Sequence, residues 1–166
     1  MSLYTPFKHI PLGLLTDTLV PALLVAQIIG RIGCIINGDA FGGVTTLPWG
    51  FIYTHPGALI SPYLIGIPTH PYPVYEMIWN VLVLLLVLCF RNKITQNGLL
   101  FVSYLTFYSI GRFILSFVRQ EIDTLWGLQQ AQVLAIAMLI TSGIAICYLL
   151  KKSRHNAILK YSKSTS

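Results

Sequence analysis

The sequence predicts an all-α integral membrane protein of about four transmembrane helices, with a long extracytoplasmic loop rich in glycine, proline and aromatic residues. Three observations carry that class. Of the 166 residues, 55% are apolar and only 10% charged, against roughly 25% charged in a soluble domain. Mean hydropathy is +0.71. Four apolar stretches recur along the chain, each approaching the ~20 residues that cross a ~30 Å hydrocarbon core. At this length one transmembrane domain over residues 1–166 is expected.

Residues 1–17 read as a short entry segment that lies at the interface. They hold Lys8 and two prolines, and no small-residue cleavage site follows a compact apolar core, so no cleavable signal peptide is expected. The first span covers about 18–36, with Pro21 in its first turn, where a missing N–H is harmless. Residues 37–73 form the loop, which contains Gly42-Gly43, Pro48-Trp49-Gly50, Thr54-His55-Pro56-Gly57 and Thr69-His70-Pro71-Tyr72-Pro73. Loops of this length are usually functional when ordered. Trp49, Tyr53, Tyr63, Tyr72 and Tyr75 suit the headgroup layer of a bilayer. The second span, about 74–90, includes the lipid-like run Val81 to Leu88 and closes at Arg91-Asn92-Lys93; Asn97-Gly98 then marks a turn. The third span, about 99–118, is interrupted by Gly111-Arg112 and leaves through Arg119-Gln120-Glu121-Ile122-Asp123. The fourth covers about 131–150, and a basic tail occupies 151–166.

An even number of spans puts both termini on one side. Arg91 and Lys93 then fall together with Lys8 and with the tail residues Lys151, Lys152, Arg154, Lys160 and Lys163, which marks that side as cytoplasmic. The loop faces outward. Most of the net charge of +6 belongs to this tail, so it is no sign of nucleic acid binding. The three cysteines, Cys34, Cys89 and Cys147, are isolated in or at the end of apolar segments. Neither a disulfide framework nor a metal site is expected from them.

The chain is organised around residues 30–42, where a cation sits inside an apolar helix that then breaks into a polar, glycine-rich turn. An ionisable group in lipid is costly unless compensated, and marks a functional site by default. Arg31 lies about five residues before the outer end of the first span, or ~8 Å, and Arg112 about six before the end of the third, or ~9 Å. Two arginines from different helices therefore reach one depth. Asp39 and Glu76 flank that layer, with Asn37 and His70 close by. A single arginine near a helix end is explained by snorkelling. Two at matched depth, each beside a glycine that makes room for a neighbour or a headgroup, favour a shared site. Paired guanidiniums fork onto phosphate oxygens, and at this depth the natural anion is a phospholipid phosphate. Asp39, Glu76 and His70 are candidates for orienting the arginines or moving a proton. Residue spacing alone gives an outward-facing, phosphate-seeking membrane site and no reaction.

The segment Gly30-Arg31-Ile32-Gly33-Cys34-Ile35-Ile36-Asn37-Gly38-Asp39 resembles the G-R-x-G-N-F-x-N-x-E signature of bacterial prolipoprotein diacylglyceryl transferases. The resemblance continues in Pro48-Trp49-Gly50, in His70-Pro71-Tyr72-Pro73-Val74-Tyr75-Glu76 (family pattern H-P-x-Q-L-Y-E), in Gly111-Arg112-Phe113 with Phe117-Val118-Arg119-Gln120, and in Gln132-Val133-Leu134. Five blocks in family order cover about residues 17–150. The resemblance implies an enzyme of the bacterial cytoplasmic membrane that needs no metal or cofactor. It implies transfer of the diacylglyceryl group of phosphatidylglycerol to the lipobox cysteine thiol of a preprolipoprotein, forming a thioether and releasing glycerol-1-phosphate. It assigns Arg31 and Arg112 to the headgroup and the departing phosphate. Asn37 and Asp39, with Gly38 between them, fall on the polar end of the signature, Glu76 and Arg119 at recurrent positions, and the substrate's cysteine is the nucleophile.

The sequence departs from the pattern at several places. Cys34 stands for the usual Asn, Asp39 for Glu and Pro73 for Gln. Ser116 occupies the i+4 position from Arg112 where the family usually has an acid that would steady that arginine. No segment matches the family's N-terminal spans or their His-Gly-Gly motif, so a short member lacking those spans is expected. Three readings follow: a compact transferase in which His70 or a carboxylate handles the proton, a non-catalytic lipid-binding paralogue or half of a split enzyme, and an unrelated small transporter. The largely apolar second and fourth spans disfavour the last.

Overall fold

A computed structural model of the chain describes residues 11–119, 123–125 and 128–164. Lys8, Gln120, Glu121 and Ile122 lie outside the described residues. The fold is all-α apart from one short antiparallel ladder: α1 Leu12–Asn37, α2 Tyr72–Phe90, α3 Leu99–Ser116 and α4 Gln130–Ser164. All four helices are long and apolar enough to cross a membrane, and the chain is a multi-pass membrane protein. The ladder pairs β1 Asp123–Leu125 with β2 Leu128–Gln129 in the connection between α3 and α4.

α1 begins six residues earlier than the hydropathy suggests. Pro11 is its N-cap, and its carbonyl accepts from Leu14 and Leu15. Pro21 therefore lies inside the helix, not in its first turn. It removes the N–H that would bond the Asp17 carbonyl, a loss that membrane helices tolerate when neighbours re-satisfy the backbone. The acid at the end of the expected entry segment reaches another helix. Asp17 Oδ2 accepts from Gly98 N at 2.6 Å and Oδ1 from Phe101 N at 2.8 Å, so a side chain of α1 caps the N-terminus of α3. Gly13 permits this approach: a Cβ there would lie 2.9 Å from Asn97 C and Gly98 N.

The bundle packs α1 on α2 and α3 on α4, with α2–α3 and α1–α3 contacts between. Val20, Leu24, Val83, Val87, Leu100 and Tyr104 form its buried core. Most other apolar side chains on the helices are exposed, as lipid-facing surfaces are. Polar bonds stitch the rest: Thr106 Oγ1 to Ser142 Oγ at 3.0 Å between α3 and α4, and Gln96 Nε2 to the Leu149 carbonyl at 2.9 Å. α4 runs on past the expected end of its span to Ser164, because the basic residues after Leu150 are good helix formers and no Gly or Pro stops them.

The 37–73 loop is folded onto itself. Gly38 (φ +73) ends α1 in the left-handed conformation, its N–H returning to Cys34 O at 3.0 Å. Thr69 is fully buried and pairs in both directions with Phe51. Gly42 N donates to His70 O and His70 N to Gly43 O. The backbone thus closes a tight knot whose far strand leads directly into α2.

Candidate functional site

At the loop end of the bundle, three helices bring three charges together. Glu76, on the second turn of α2, is 4% exposed. Its Oε2 lies 2.7 Å from Arg31 Nε of α1, and its Oε1 lies 2.8 Å from Arg112 Nη1 of α3. The Arg31 contact is a close ion pair off the hydrogen-bond line; the Arg112 contact is an aligned hydrogen bond. Tyr72, one turn before Glu76, donates to Oε1 at 3.2 Å, and its hydroxyl accepts from Arg112 Nη1 at 3.3 Å. Each arginine keeps about a quarter of its side chain exposed (24%). Neither snorkels away; both turn to the same carboxylate.

Two cations on one anion leave the cluster with one positive charge in excess. In a low-dielectric setting such a charge strongly favours an incoming monoanion. The space for one is present. A cavity of about 260 Å³ opens beside the cluster, lined by Arg31, Glu76 and Arg112 with Cys34, Trp79 and Tyr108. Gly111, next to Arg112, makes the α2–α3 approach possible, because a Cβ there would collide with the Trp79 indole. That indole donates to the Phe107 carbonyl at 3.0 Å. Gly30 and Gly33, by contrast, have open space where a side chain would stand. Of the two uses expected for these glycines, Gly111 serves the close approach of a neighbouring helix and Gly30 leaves room in the cavity.

The remaining sequence candidates distribute unevenly. Asp39 lies beside the Cys34 thiol, whose sulfur is 3.7 Å from Arg31 Nη1. Asp39 Oδ1 is buried without a hydrogen-bond partner. Burial, then the nearby Asp39 carboxylate, pushes the Tyr53 phenol above its usual range. Arg119 stacks its guanidinium over the Tyr72 ring, 5.4 Å from the centroid, which ties it to the cluster through that tyrosine. His70 is not brought to the arginines. Its Nδ1 is 3.3 Å from Tyr75 Oη, which also accepts from Trp49 Nε1 at 2.9 Å. Asn37 turns its side chain outward, and its carbonyl accepts from Leu59 N at 2.9 Å. Gly38 is buried against Tyr53 and Ala58.

The absent acid at Ser116 proves no handicap to Arg112. Ser116 is buried and bonds the Phe113 carbonyl at 2.6 Å, while Glu76 and Tyr72 fix the arginine from another helix. Sequence reading missed Gln27 and Asn80, which also line the cavity. Each is an amide in an otherwise apolar helical run, and that was the available signal.

The family model for prolipoprotein diacylglyceryl transferase matches residues 1–148. Among curated relatives, the phosphatidylglycerol–prolipoprotein diacylglyceryl transferase of Clostridioides difficile is 37% identical over 154 residues, covering 93% of this chain and 58% of that protein. Its namesakes from Dehalococcoides mccartyi (34% identical; 92% of this chain and 57% of that protein covered) and Clostridium novyi (37% identical; 80% and 51% covered) are also similar. The chain spans a little more than half the length of these relatives.

Proposed function

The chain belongs to the prolipoprotein diacylglyceryl transferase family, and from that premise we propose that it binds phosphatidylglycerol and transfers its diacylglyceryl group to the lipobox cysteine of a preprolipoprotein. The observation that carries the proposal is Glu76 shared between Arg31 and Arg112 at the edge of a cavity. The net positive charge of the trio matches a phosphodiester, which carries one negative charge.

In the reaction the thiol sulfur attacks the glycerol carbon that bears the phosphate. A C–S bond forms, the C–O bond to phosphate breaks, and glycerol-1-phosphate leaves with the bonding electrons. The thiol proton balances the added charge, passing to a base or to the departing phosphate. Arg31 and Arg112 stabilise the charge developing on that phosphate, in a water-poor site where preorganised cations act most strongly. Glu76 and Tyr72 hold Arg112 in position, and Arg119 braces Tyr72. Of the three proton-handling candidates, Glu76 is committed to the arginines, and Asp39 is better placed than His70, with a buried, unpartnered oxygen and the Cys34 thiol beside it. His70 serves the loop. Asn37 and Gly38 shape the turn that presents Asp39. We place the protein in the bacterial cytoplasmic membrane as one transmembrane domain, with the arginine cluster toward the outer face and both termini cytoplasmic, because the basic residues gather at the opposite end.

The test is conversion of phosphatidylglycerol and a lipobox peptide to a diacylglyceryl thioether peptide by the purified chain in lipid. Arg31→Ala and Arg112→Ala abolish it. Asp39→Asn keeps lipid capture and loses turnover. A wild-type chain that captures lipid but turns over only when the N-terminal part of a relative is co-expressed is instead the lipid-binding half of a two-chain transferase.

A further inference from the structure

One helical turn inward from the ion cluster lies a second polar layer that the transfer chemistry leaves unused. Gln27 precedes Arg31 by four residues on α1, and Asn80 follows Glu76 by four on α2. The two helices run in opposite directions, so both amides lie on the same side of the cluster, about 6 Å deeper at 1.5 Å per residue. Both line the cavity that holds Arg31, Glu76 and Arg112. Asn80 is 6% exposed, and its amide bonds to no described residue. Gln27 Nε2 is fixed by donation to Tyr104 Oη at 2.7 Å, which leaves Oε1 buried and without a partner.

Buried amide groups are nearly always hydrogen-bonded, and an exception calls for an explanation. Here Gln27 Oε1 is such an exception, and the Asn80 amide lines the same cavity, with the charged layer on one side and apolar helix on the other. In a phosphodiester lipid the two ester carbonyl oxygens stand six and seven bonds from phosphorus. With tetrahedral zig-zag such paths reach roughly 7–9 Å when fully extended and ~6 Å when bent at one bond, enough to span the two layers. We propose that Gln27 and Asn80 form a subsite for the ester linkages of a diacyl glycerophospholipid; the proposal rests on the phospholipid reading of the arginine cluster. Asn80 Nδ2 donates to one ester carbonyl. Gln27 Oε1, an acceptor, takes a water that donates its other hydrogen to the second ester. The layer sets the depth of the lipid, and with it the position of the carbon to be attacked, and it distinguishes ester-linked from ether-linked chains. An ether oxygen offers a poorer acceptor at the wrong place.

The experiment is competition between diacyl and dialkyl-ether phosphatidylglycerol of matched chain length for the purified chain, read as bound lipid by native mass spectrometry. Wild type retains the diester by roughly fivefold to tenfold, the value of one to two hydrogen bonds. Asn80→Leu and Asn80→Asp both bring the ratio to about one, the first by removing the amide and the second by replacing its donors with a carboxylate. Gln27→Leu lowers it part of the way. Arg31→Ala weakens capture of both lipids and keeps the ratio. A wild-type ratio near one, or a preference that survives both Asn80 variants, overturns the ester subsite while leaving the arginine site intact. Capture of neither lipid by wild type overturns the arginine site and the subsite together.

Discussion

At the loop end of the bundle Glu76 holds two arginines; at the hairpin end Asp17 holds two backbone amides. Both carboxylates sit near the ends of apolar helices, and both bridge segments distant in sequence. They differ in what is left over. Asp17 uses one oxygen on Gly98 and the other on Phe101, inside a joint so close that Gly13 cannot carry a Cβ. Glu76 leaves a surplus positive charge and a cavity beside it. Asp17 also borders a cavity, of about 320 Å³, so the difference lies in the carboxylates' partners: both Asp17 oxygens are taken by backbone amides, whereas Glu76 sits between two cations that outnumber it, leaving that end open to an anion.

Glu76→Ala is the most damaging way to break that contrast. It strips the counter-ion from two partly buried arginines and leaves them facing each other, a change of the kind that costs about 3–5 kcal/mol. Thermal unfolding in detergent is expected to drop accordingly, and lipid capture and transfer to vanish. An unchanged melting temperature would show that the arginines do not depend on Glu76.

Next in size come the two glycines at the joints. Gly13→Ala drives a methyl into the Asn97–Gly98 backbone, which has no cheap way to move, for about 1–3 kcal/mol. Gly111→Ala meets the Trp79 indole, which swings aside only by giving up its bond to Phe107. Both lower stability. Only Gly111→Ala also reshapes the cavity, so lipid capture separates them. If Gly13→Ala impairs capture equally among molecules that remain folded, the two ends are coupled and the contrast fails.

Asp17→Asn is smaller still. The amide keeps one acceptor and loses the charge at the N-terminus of α3, about 1 kcal/mol. Folded protein is expected to transfer at the wild-type rate, which a melt and an activity assay on the same sample check together.

The sequence was informative at one end and nearly silent at the other. Apolar run lengths located the four helices. The matched depth of Arg31 and Arg112 pointed to one layer, and Glu76 stood beside it. What remained hidden depended on tertiary pairing. That Glu76 sits between the arginines follows from how α1, α2 and α3 pack, which no spacing encodes. Asp17 falls at the end of the expected entry segment because a lone acid lowers local hydropathy and Pro21 resembles a first-turn proline. The receptor for that acid, the start of α3, is 81 residues away. Gln27 and Asn80 were overlooked because a neutral amide hardly disturbs an apolar average, although in lipid its unsatisfied groups are costly.

His70→Gln has the smallest expected effect and gives the sharpest test of where the open end stops. By sequence His70 belongs with the site, since it sits in the same block as Glu76. In space its ring belongs to the loop, 3.3 Å from Tyr75 Oη, on a tyrosine that Trp49 also engages. Glutamine retains a donor and an acceptor at similar reach, so stability is expected within about 0.5 kcal/mol of wild type and transfer within about threefold. The rate should keep its pH profile, because a group outside the proton path does not shape it. If His70→Gln instead abolishes transfer and flattens the profile while Asp39→Asn leaves both unchanged, the proton leaves through His70 and Tyr75. The open end of the molecule then extends from the cavity into the folded loop.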